Sequence, residues 1–409
     1  MRPKLSVLIV DKEKKHRDYD LSTADIVGIG ESTVDVNVIE NLDNLNSDLN
    51  KYKGYDCIIS IGDVNTLPLT NSSFEVRKKW VHYKEYDKKA IANALISTFM
   101  YNINRDRGDE KLISIFTCTF RTPKSVIARL YDSLVKQTYH NWNWWVLDDS
   151  GNAGSVSEYL EKLHDPRIIV IKNITNHGVI GFNKHVIASA CDGDYLLEID
   201  HDDELTPDCL ELVKKAFDAY PDSDFVFSHA FEEMDGIPVW YNGPFGLGQG
   251  YYKDVEINGE IVKQVPMTPD ITYLTIRHIV GLPNHVRCWK KDFYHKIGGH
   301  NTELAVLDDM DILIRTFLYG KMCKIDKVLY IQHEGSSSDN NGRGSTTQGN
   351  RYGEIVRTGV LLRWKYDKQI HERLLELGSE DPIWNEEGGY SEIRIITDKL
   401  PALNYTYEP

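Results

Sequence analysis

Three things are scarce in this sequence. Its 409 residues hold six cysteines, and no two stand as C-x-x-C. Neither a zinc knuckle nor a thioredoxin-type redox site is therefore indicated. Cys57, Cys118, Cys191, Cys209, Cys288 and Cys323 are scattered through apolar segments, as suits reduced thiols packed as small hydrophobes. That pattern points to a cytoplasmic location. Long apolar runs are missing too: none approaches the length needed to cross a bilayer. The apolar stretch in MRPKLSVLIVDKEKK is too short for the core of a secretion signal. Basic residues are also in short supply, 47 Lys and Arg against 62 Asp and Glu, a formal net charge of −15. This argues against a protein that coats nucleic acid and against a broad electrostatic grip on an anionic membrane. A small anion remains compatible, since a metal ion and a few backbone N–H groups can hold a diphosphate inside an acidic protein.

What is present is organised. The length suggests two domains or three. LSVLIV and DCIISIG read as buried strands, and KKAIANALISTFMYNI as a helix closing a first unit at about residue 105. The charged segment 104–111 reads as a linker. From Leu112 onward strands and helices alternate. LISIFTCTF, WNWWVLDD, RIIVIKN, YLLEID and DFVFSHAF read as strands, with helical patterns between them. Such alternation predicts an α/β fold with a mostly parallel sheet and helices on both faces, and ligands bind beyond the carboxyl ends of its strands. Residues 336–350 are nearly free of apolar side chains and read as a flexible loop or lid. Residues 351–409 begin with a long amphipathic helix and form a C-terminal helical extension. The G-x-G in IVGIGES lacks a third glycine and reads as a simple turn.

Carboxylates gather at strand ends. Asp200 and Asp202 follow YLLEI two residues apart, so in extended chain they point the same way. Two aligned carboxylates make a hard-oxygen site suited to Mg2+ or Mn2+; alternatively, Asp202, Asp203 and Glu204 cap the helix beginning near Pro207. Asp148 and Asp149 end a neighbouring strand and either line the same crevice or form a turn with Ser150.

The segments SIFTCTFRTP, SLVKQTYHNWNWWVLDDSG and NHGVIGFNKHVIASACDGDYLLEIDHDDELTPD resemble, in order and spacing, the family 2 glycosyltransferases over about residues 112–335. The resemblance implies a GT-A fold for residues 106–335, beside a smaller N-terminal α/β domain of residues 1–105. It implies transfer of a sugar from a nucleotide diphosphate donor, a UDP-sugar, to a glycan or other hydroxyl acceptor, with Mn2+ or Mg2+. Thr117, Cys118, Thr119 and Arg121 fall where the family contacts the nucleotide base, with Cys118 in place of the usual proline. Asp149 matches the aspartate that hydrogen-bonds uracil. Asn176, Gly178, Asn183 and Lys184 match the segment under the nucleotide, although Asn183 and Lys184 also fit a plain polar helix face. Asp200 matches a residue near the ribose and metal, and Asp202 the direct metal ligand.

GLPNHVRCWKKDFYHKIGGHN resembles the family segment between donor and acceptor halves, with Gly298 and Gly299 as paired turn glycines. In LAVLDDMDILIRTFLYG, Leu307, Met310, Ile314 and Phe317 lie at helical spacing, so a helix starts near Asp308, read as its N-cap. Asp309 matches the general base of inverting members, and Asp308 replaces the family's glutamate. A carboxylate there could equally serve as a favourable anion at a helix N-terminus. His333 in YIQHEGSSS matches a histidine that approaches the metal or diphosphate, and Arg343 in the following loop could clamp a diphosphate. The alternatives are a retaining transferase and a sugar- or nucleotide-binding protein without catalysis. The chain is expected to bind no nucleic acid, to span no membrane, and possible self-association is left open.

Overall fold

The structure is a computed structural model that describes residues 5–13, 34–40, 42, 52, 54–65, 76, 79–86, 111–151, 156–163, 165, 167–234, 236–240, 245–333, 351–384 and 405–409. The expected helix at 88–103, the IVGIGES turn, the linker before Lys111 and the loop 336–350 with Arg343 lie outside these residues. The chain divides into two compact units. One comprises Met1–Glu110, His140–Trp142 and Leu160–Ile169, and the other Lys111–Tyr139, Asn143–Tyr159 and Val170–Pro409.

The first unit is built on β1 (Leu5–Asp11), β2 (Val34–Ile39), β3 (Cys57–Ile61) and β4 (Trp80–Tyr83), in the order β2-β1-β3-β4. Every pairing is parallel. The central strands β1 and β3 are the most apolar, as expected for strands covered on both faces. Leu8, Val10, Ile58 and Val76 form their core.

From Lys111 onward the chain runs through β5 (Ile113–Thr119), α1 (Lys124–Val135), β6 (Trp142–Asp148), α2 (Val156–Glu161), β7 (Ile168–Lys172) and α3 (Ile180–Ala190). It continues with β8 (Tyr195–Glu198), β9 (Glu204–Leu205), α4 (Cys209–Ala219), β10 (Phe225–Met234) and β11 (Ile237–Pro238). A hairpin of β12 (Tyr251–Ile257) and β13 (Glu260–Met267) follows, then α5 (Thr275–His278), β14 (Arg287–Lys290) and α6 (Lys291–Lys296). The last elements are α7 (Asp308–Tyr319), β15 (Met322–His333), α8 (Tyr352–Glu376) and β16 (Tyr405–Tyr407).

The large sheet runs β16-β15-β10-β14-β8-β5-β6-β7. Strand β5 pairs parallel with β8, and β10 parallel with β15. Between these blocks β14 is antiparallel to both β8 and β10, so β8 and β10 still point the same way. The mostly parallel α/β sheet is the expected one, but a strict strand–helix alternation missed β14. Four residues, RCWK, are too few to show a period. The register sets Arg287 directly opposite Glu198, and that pair reappears in the site.

Phe116, Leu196, Phe225, Trp289, Met310 and Phe317 lie in one core that joins the sheet to α7 and α8. Helix α7 begins at Asp308, but its N-cap is Leu307 in a left-handed conformation (φ 58°), not Asp308 as expected. Asp308 is occupied elsewhere: its Oδ2 lies 3.5 Å from Lys184 Nζ. Helix α8 is tied down by Tyr366, whose hydroxyl donates to Asp311 (2.7 Å), and by Asp367, which accepts from Arg277 Nε (2.6 Å). Among the described residues no helix is long and apolar enough to cross a membrane.

Candidate active site

A cleft of about 1020 Å³ opens beyond the ends of β5, β6 and β8. Its lining includes Thr119, Asp149, Asn176, Gly178, Lys184, Asp200, Asp202, Asp309 and His333. Cys118 and Asn183, also singled out in the sequence, join these nine in the one cavity. Thr117 and Arg121 are not among the lining residues. The Thr117 side chain is buried and accepts a hydrogen bond from Trp144 Nε1 (2.9 Å). Arg121 has a positive φ of 50°, donates its backbone N–H to Ser150 Oγ, and carries its guanidinium over Phe120.

The two acids ending β6 divide their work. Asp148 is fully buried and accepts the backbone N–H groups of Ser150 (3.1 Å) and Ser157 (3.2 Å), closing the turn into α2. Asp149 accepts from Asn173 (2.7 Å), Asn176 (2.9 Å) and Asn183 (2.9 Å) side chains and from the backbone of His177 (2.8 Å) and Gly178 (3.1 Å). Burial would raise its pKa, but these hydrogen bonds win and lower it. Five donors fill both carboxylate oxygens, so a uracil imide has to displace one of them to bind Asp149 directly.

Strand β8 ends at Glu198, two residues before Asp200. The D-x-D pair therefore sits in a turn, closed by Asp203 N–H to Asp200 C=O (3.4 Å), and not in extended chain as expected. Both carboxylates still line the cleft. Asp203 turns inward and accepts from the Tyr330 hydroxyl (2.6 Å) and the His333 backbone (3.0 Å). Burial, with Asp202 and Asp200 close by, pushes its pKa well up.

A cluster of buried charge underlies these residues. Lys184 Nζ donates to Glu198 Oε1 at 2.6 Å, with Asp308 at 3.5 Å and Asp200 at 3.9 Å. Burial alone would lower the lysine, but Asp308, Glu198 and Asp200 outweigh it and keep it charged. Arg287 sits 3.6 Å from Glu198 and 3.4 Å from Asp309, and donates to the carbonyl of Gly281 (2.9 Å). His300 Nε2 faces Glu198 Oε2 at 3.4 Å, and His285 Nε2 faces Asp200 Oδ2 at 3.5 Å. Burial would raise Glu198, yet Lys184, His300 and Arg287 hold it well below the usual range. Asp308 goes the other way, raised by burial against the pull of Lys184. Gly281 has a left-handed backbone (φ 71°) that favours glycine, and a Cβ there would push on Asp309 Oδ2 at 2.8 Å. The paired glycines are elsewhere: Gly298 and Gly299 both have positive φ, and Gly299 packs against Tyr294 and His185, outside the cleft lining.

Glu198, His285, Arg287 and His300 were not singled out from the sequence. A charge embedded in an apolar strand, as in YLLEI and HVRCW, is the signal that could have flagged Glu198 and Arg287.

His333 is held between two carboxylates, with Nε2 2.7 Å from Glu204 and Nδ1 against Glu233. Burial would lower its pKa, but both hydrogen bonds outweigh it and raise the ring. A metal can take His333 only if one of these carboxylates lets go. Among the described residues no group of three or more His, Cys, Asp or Glu is arranged to hold a metal. The donor set at the cleft is two aspartates, a pair that suits Mg2+ or Mn2+ when the remaining ligands are phosphate oxygens and water.

Residues 114–269 match the profile of the family described as glycosyl transferase family 2. The chain carries a family 2 glycosyltransferase domain. The chain is 29% identical over 231 residues to WcaA of Escherichia coli (strain K12), named for glycosyl transfer in colanic acid biosynthesis. That similarity covers 54% of this chain and 72% of WcaA. It is also 29% identical over 192 residues to a Haemophilus influenzae protein named as a glycosyltransferase, covering 47% of this chain and 58% of that one. The structure of S. aureus TarS 1-349 in complex with UDP-GlcNAc superposes with a TM-score of 0.46 and 17% identity, covering 64% of this chain and 72% of TarS 1-349. Asp149, Asn176, Gly178, Lys184, Asp200 and Asp202 lie inside the matched segment, whereas Arg287, Asp309 and His333 lie beyond it.

Proposed function

We propose that the cleft transfers a sugar, with inversion, from a UDP-sugar to a hydroxyl acceptor, and that the reaction needs Mn2+ or Mg2+. The observation that carries this reading is Asp309, a half-buried carboxylate that opens onto the same cleft as Asp200 and Asp202. The acceptor oxygen attacks the anomeric carbon, and its proton passes to Asp309 as general base. As that bond forms, the bond from the anomeric carbon to the diphosphate oxygen breaks, and its electron pair leaves with the diphosphate. Arg287, 3.4 Å from Asp309 Oδ2, orients the base.

Asp200 and Asp202 would hold the metal, which when bound neutralises charge gained by the leaving diphosphate. Lys184 fixes Asp200 from beneath. Thr119, Asp149, Asn176 and Gly178 make the nucleotide wall, and Asp149 acts there mainly by holding Asn176 and Gly178 in place.

The test is to incubate the chain with a panel of UDP-sugars and acceptors, with and without Mn2+. UDP release and the anomeric configuration of the product, by proton NMR, are then followed. Metal-dependent release with an inverted product is expected; a product with retained configuration would overturn the mechanism.

A further inference from the structure

The first turns of α8 present an outward face unlike the rest of the helix. Tyr352, Val356, Val360, Leu361 and Trp364 are exposed, Trp364 at 74%, Tyr352 at 71% and Leu361 at 59%. Spacing by four aligns Tyr352, Val356, Val360 and Trp364 in one stripe, with Leu361 beside it. Tyr352 and Val356 continue the line of Ile370 and Leu374, which are buried farther along the helix, whereas Trp364 and Leu361 point away from the buried Leu362 and Tyr366. The Tyr366–Asp311 and Asp367–Arg277 hydrogen bonds fix the helix about its axis.

The charges around the stripe are mostly basic. Arg357, Lys365 and Lys368 are exposed, and the acid beside them, Glu354, is paired with Arg351 at 2.7 Å. Lys365 leans toward Asp311 (3.5 Å) and Lys368 toward the exposed Glu372 (3.7 Å), so the second pair is screened by water. In a chain of net charge −15, such a patch stands apart from the whole.

We propose that this face of α8 docks on an anionic phospholipid surface. Trp364, Tyr352 and Leu361 enter the headgroup boundary, where amphipathic aromatic rings are favoured. Arg357 and Lys368 meet the lipid phosphates. A second copy of the chain fits poorly, because a two-fold contact through this face brings the same cations together. Arg351 and Ile355, one on each side of the first exposed residues, line the cleft. Docking therefore sets the mouth of the cleft at the lipid–water boundary.

The experiment is cosedimentation of the full chain with large vesicles, without donor or metal, so the outcome stands apart from the reaction proposed above. Vesicles of phosphatidylcholine alone are compared with vesicles holding about one quarter phosphatidylglycerol, at low and high salt. Binding to the anionic vesicles that weakens with salt is expected. Leu361→Ser with Trp364→Ser should lower the partition coefficient by about tenfold or more. Arg357→Glu with Lys368→Glu should abolish the preference for phosphatidylglycerol. Circular dichroism checks that both double variants remain folded; these side chains are exposed, so they should. Absence of vesicle binding at low salt, or binding that folded variants leave unchanged, overturns the proposal. So does a concentration-dependent dimer that Trp364→Ser dissociates, which would assign the face to a second copy.

Discussion

Lys184 and Glu198 meet at 2.6 Å beneath the cleft, one from α3 and the other from the last residue of β8. The pair joins the segment under the proposed nucleotide wall to the strand that delivers Asp200. Asp308, the first residue of α7, leans on the same ammonium at 3.5 Å. One buried cation thus links α3, the end of β8 and the start of α7.

Removing that cation should be costly. Lys184→Met takes the nearest cation from Glu198 and Asp308 and leaves them with Arg287 and His300, and breaking a buried pair from one side typically costs about 3–5 kcal/mol. Urea unfolding should show a loss of that order, with Lys184→Arg milder. A loss well below about 1 kcal/mol would mean that the cluster relaxes or takes up water instead.

Metal dependence should follow the two aspartates. Exhaustive chelation should abolish transfer, and Mn2+ or Mg2+ should restore it. Asp202→Asn should raise the metal concentration needed for half activity without lowering the melting temperature. Full activity after chelation contradicts the metal reading.

Asp149→Ala should weaken UDP binding by an indirect route. The variant leaves three asparagine side chains and two backbone N–H groups without their acceptor. Stability should fall as well, by about 1–3 kcal/mol, chiefly because the buried Asn183 is left unsatisfied. Asn176→Ala should weaken UDP binding with a smaller loss of stability. If calorimetry finds UDP bound to folded Asp149→Ala as tightly as to the wild type, the nucleotide wall lies elsewhere.

Asp309→Asn keeps shape but cannot take a proton near neutral pH. Transfer should drop by roughly two to four orders of magnitude, the usual share of a general base, while UDP affinity barely changes. Asp308→Asn should act chiefly on stability, since Asp308 faces Lys184 and His300 from a buried position. If Asp308→Asn abolishes transfer and Asp309→Asn does not, the base is the neighbouring residue.

The Glu204–His333–Glu233 link should be pH-dependent. The folded ring is raised above its ordinary value of 6.5 by the two carboxylates, despite burial. A raised histidine contributes stability that is complete below 6.5 and is lost as pH rises through the folded value. The wild-type melting temperature should therefore fall more steeply above that pH than that of His333→Gln. Parallel slopes would show that the link does not titrate in this range.

Much of the fold was legible because its signals are local. Strands buried on both faces write continuous apolar runs, and the helices between them carry an apolar stripe. The second unit's alternation therefore followed from residue order, as did the placing of acids at strand ends. Strand β14 was illegible because four residues have no readable period. Its place between β8 and β10 is decided by long-range pairing.

The site divides the same way. Residue type and spacing single out Asp149, Asp200 and Asp202, since carboxylates at strand ends are visible in one dimension, and the resemblance to family 2 glycosyltransferases adds Asp309. Where each carboxylate points is a tertiary fact. Thr117 and Thr119 are two apart on one strand, yet Thr117 packs under Trp144 while Thr119, at the strand's end, reaches the cleft. Asp149 is turned into the 173–183 segment by five donors, four of them more than 25 residues away in sequence and all of them more than 20. His333 faces Glu204 and Glu233 because β15 lies beside both β9 and β10. Sequence determined which groups could do the chemistry; burial and distant partners decided which remain open to a ligand, because a carboxylate filled by protein donors has no lone pair left to offer.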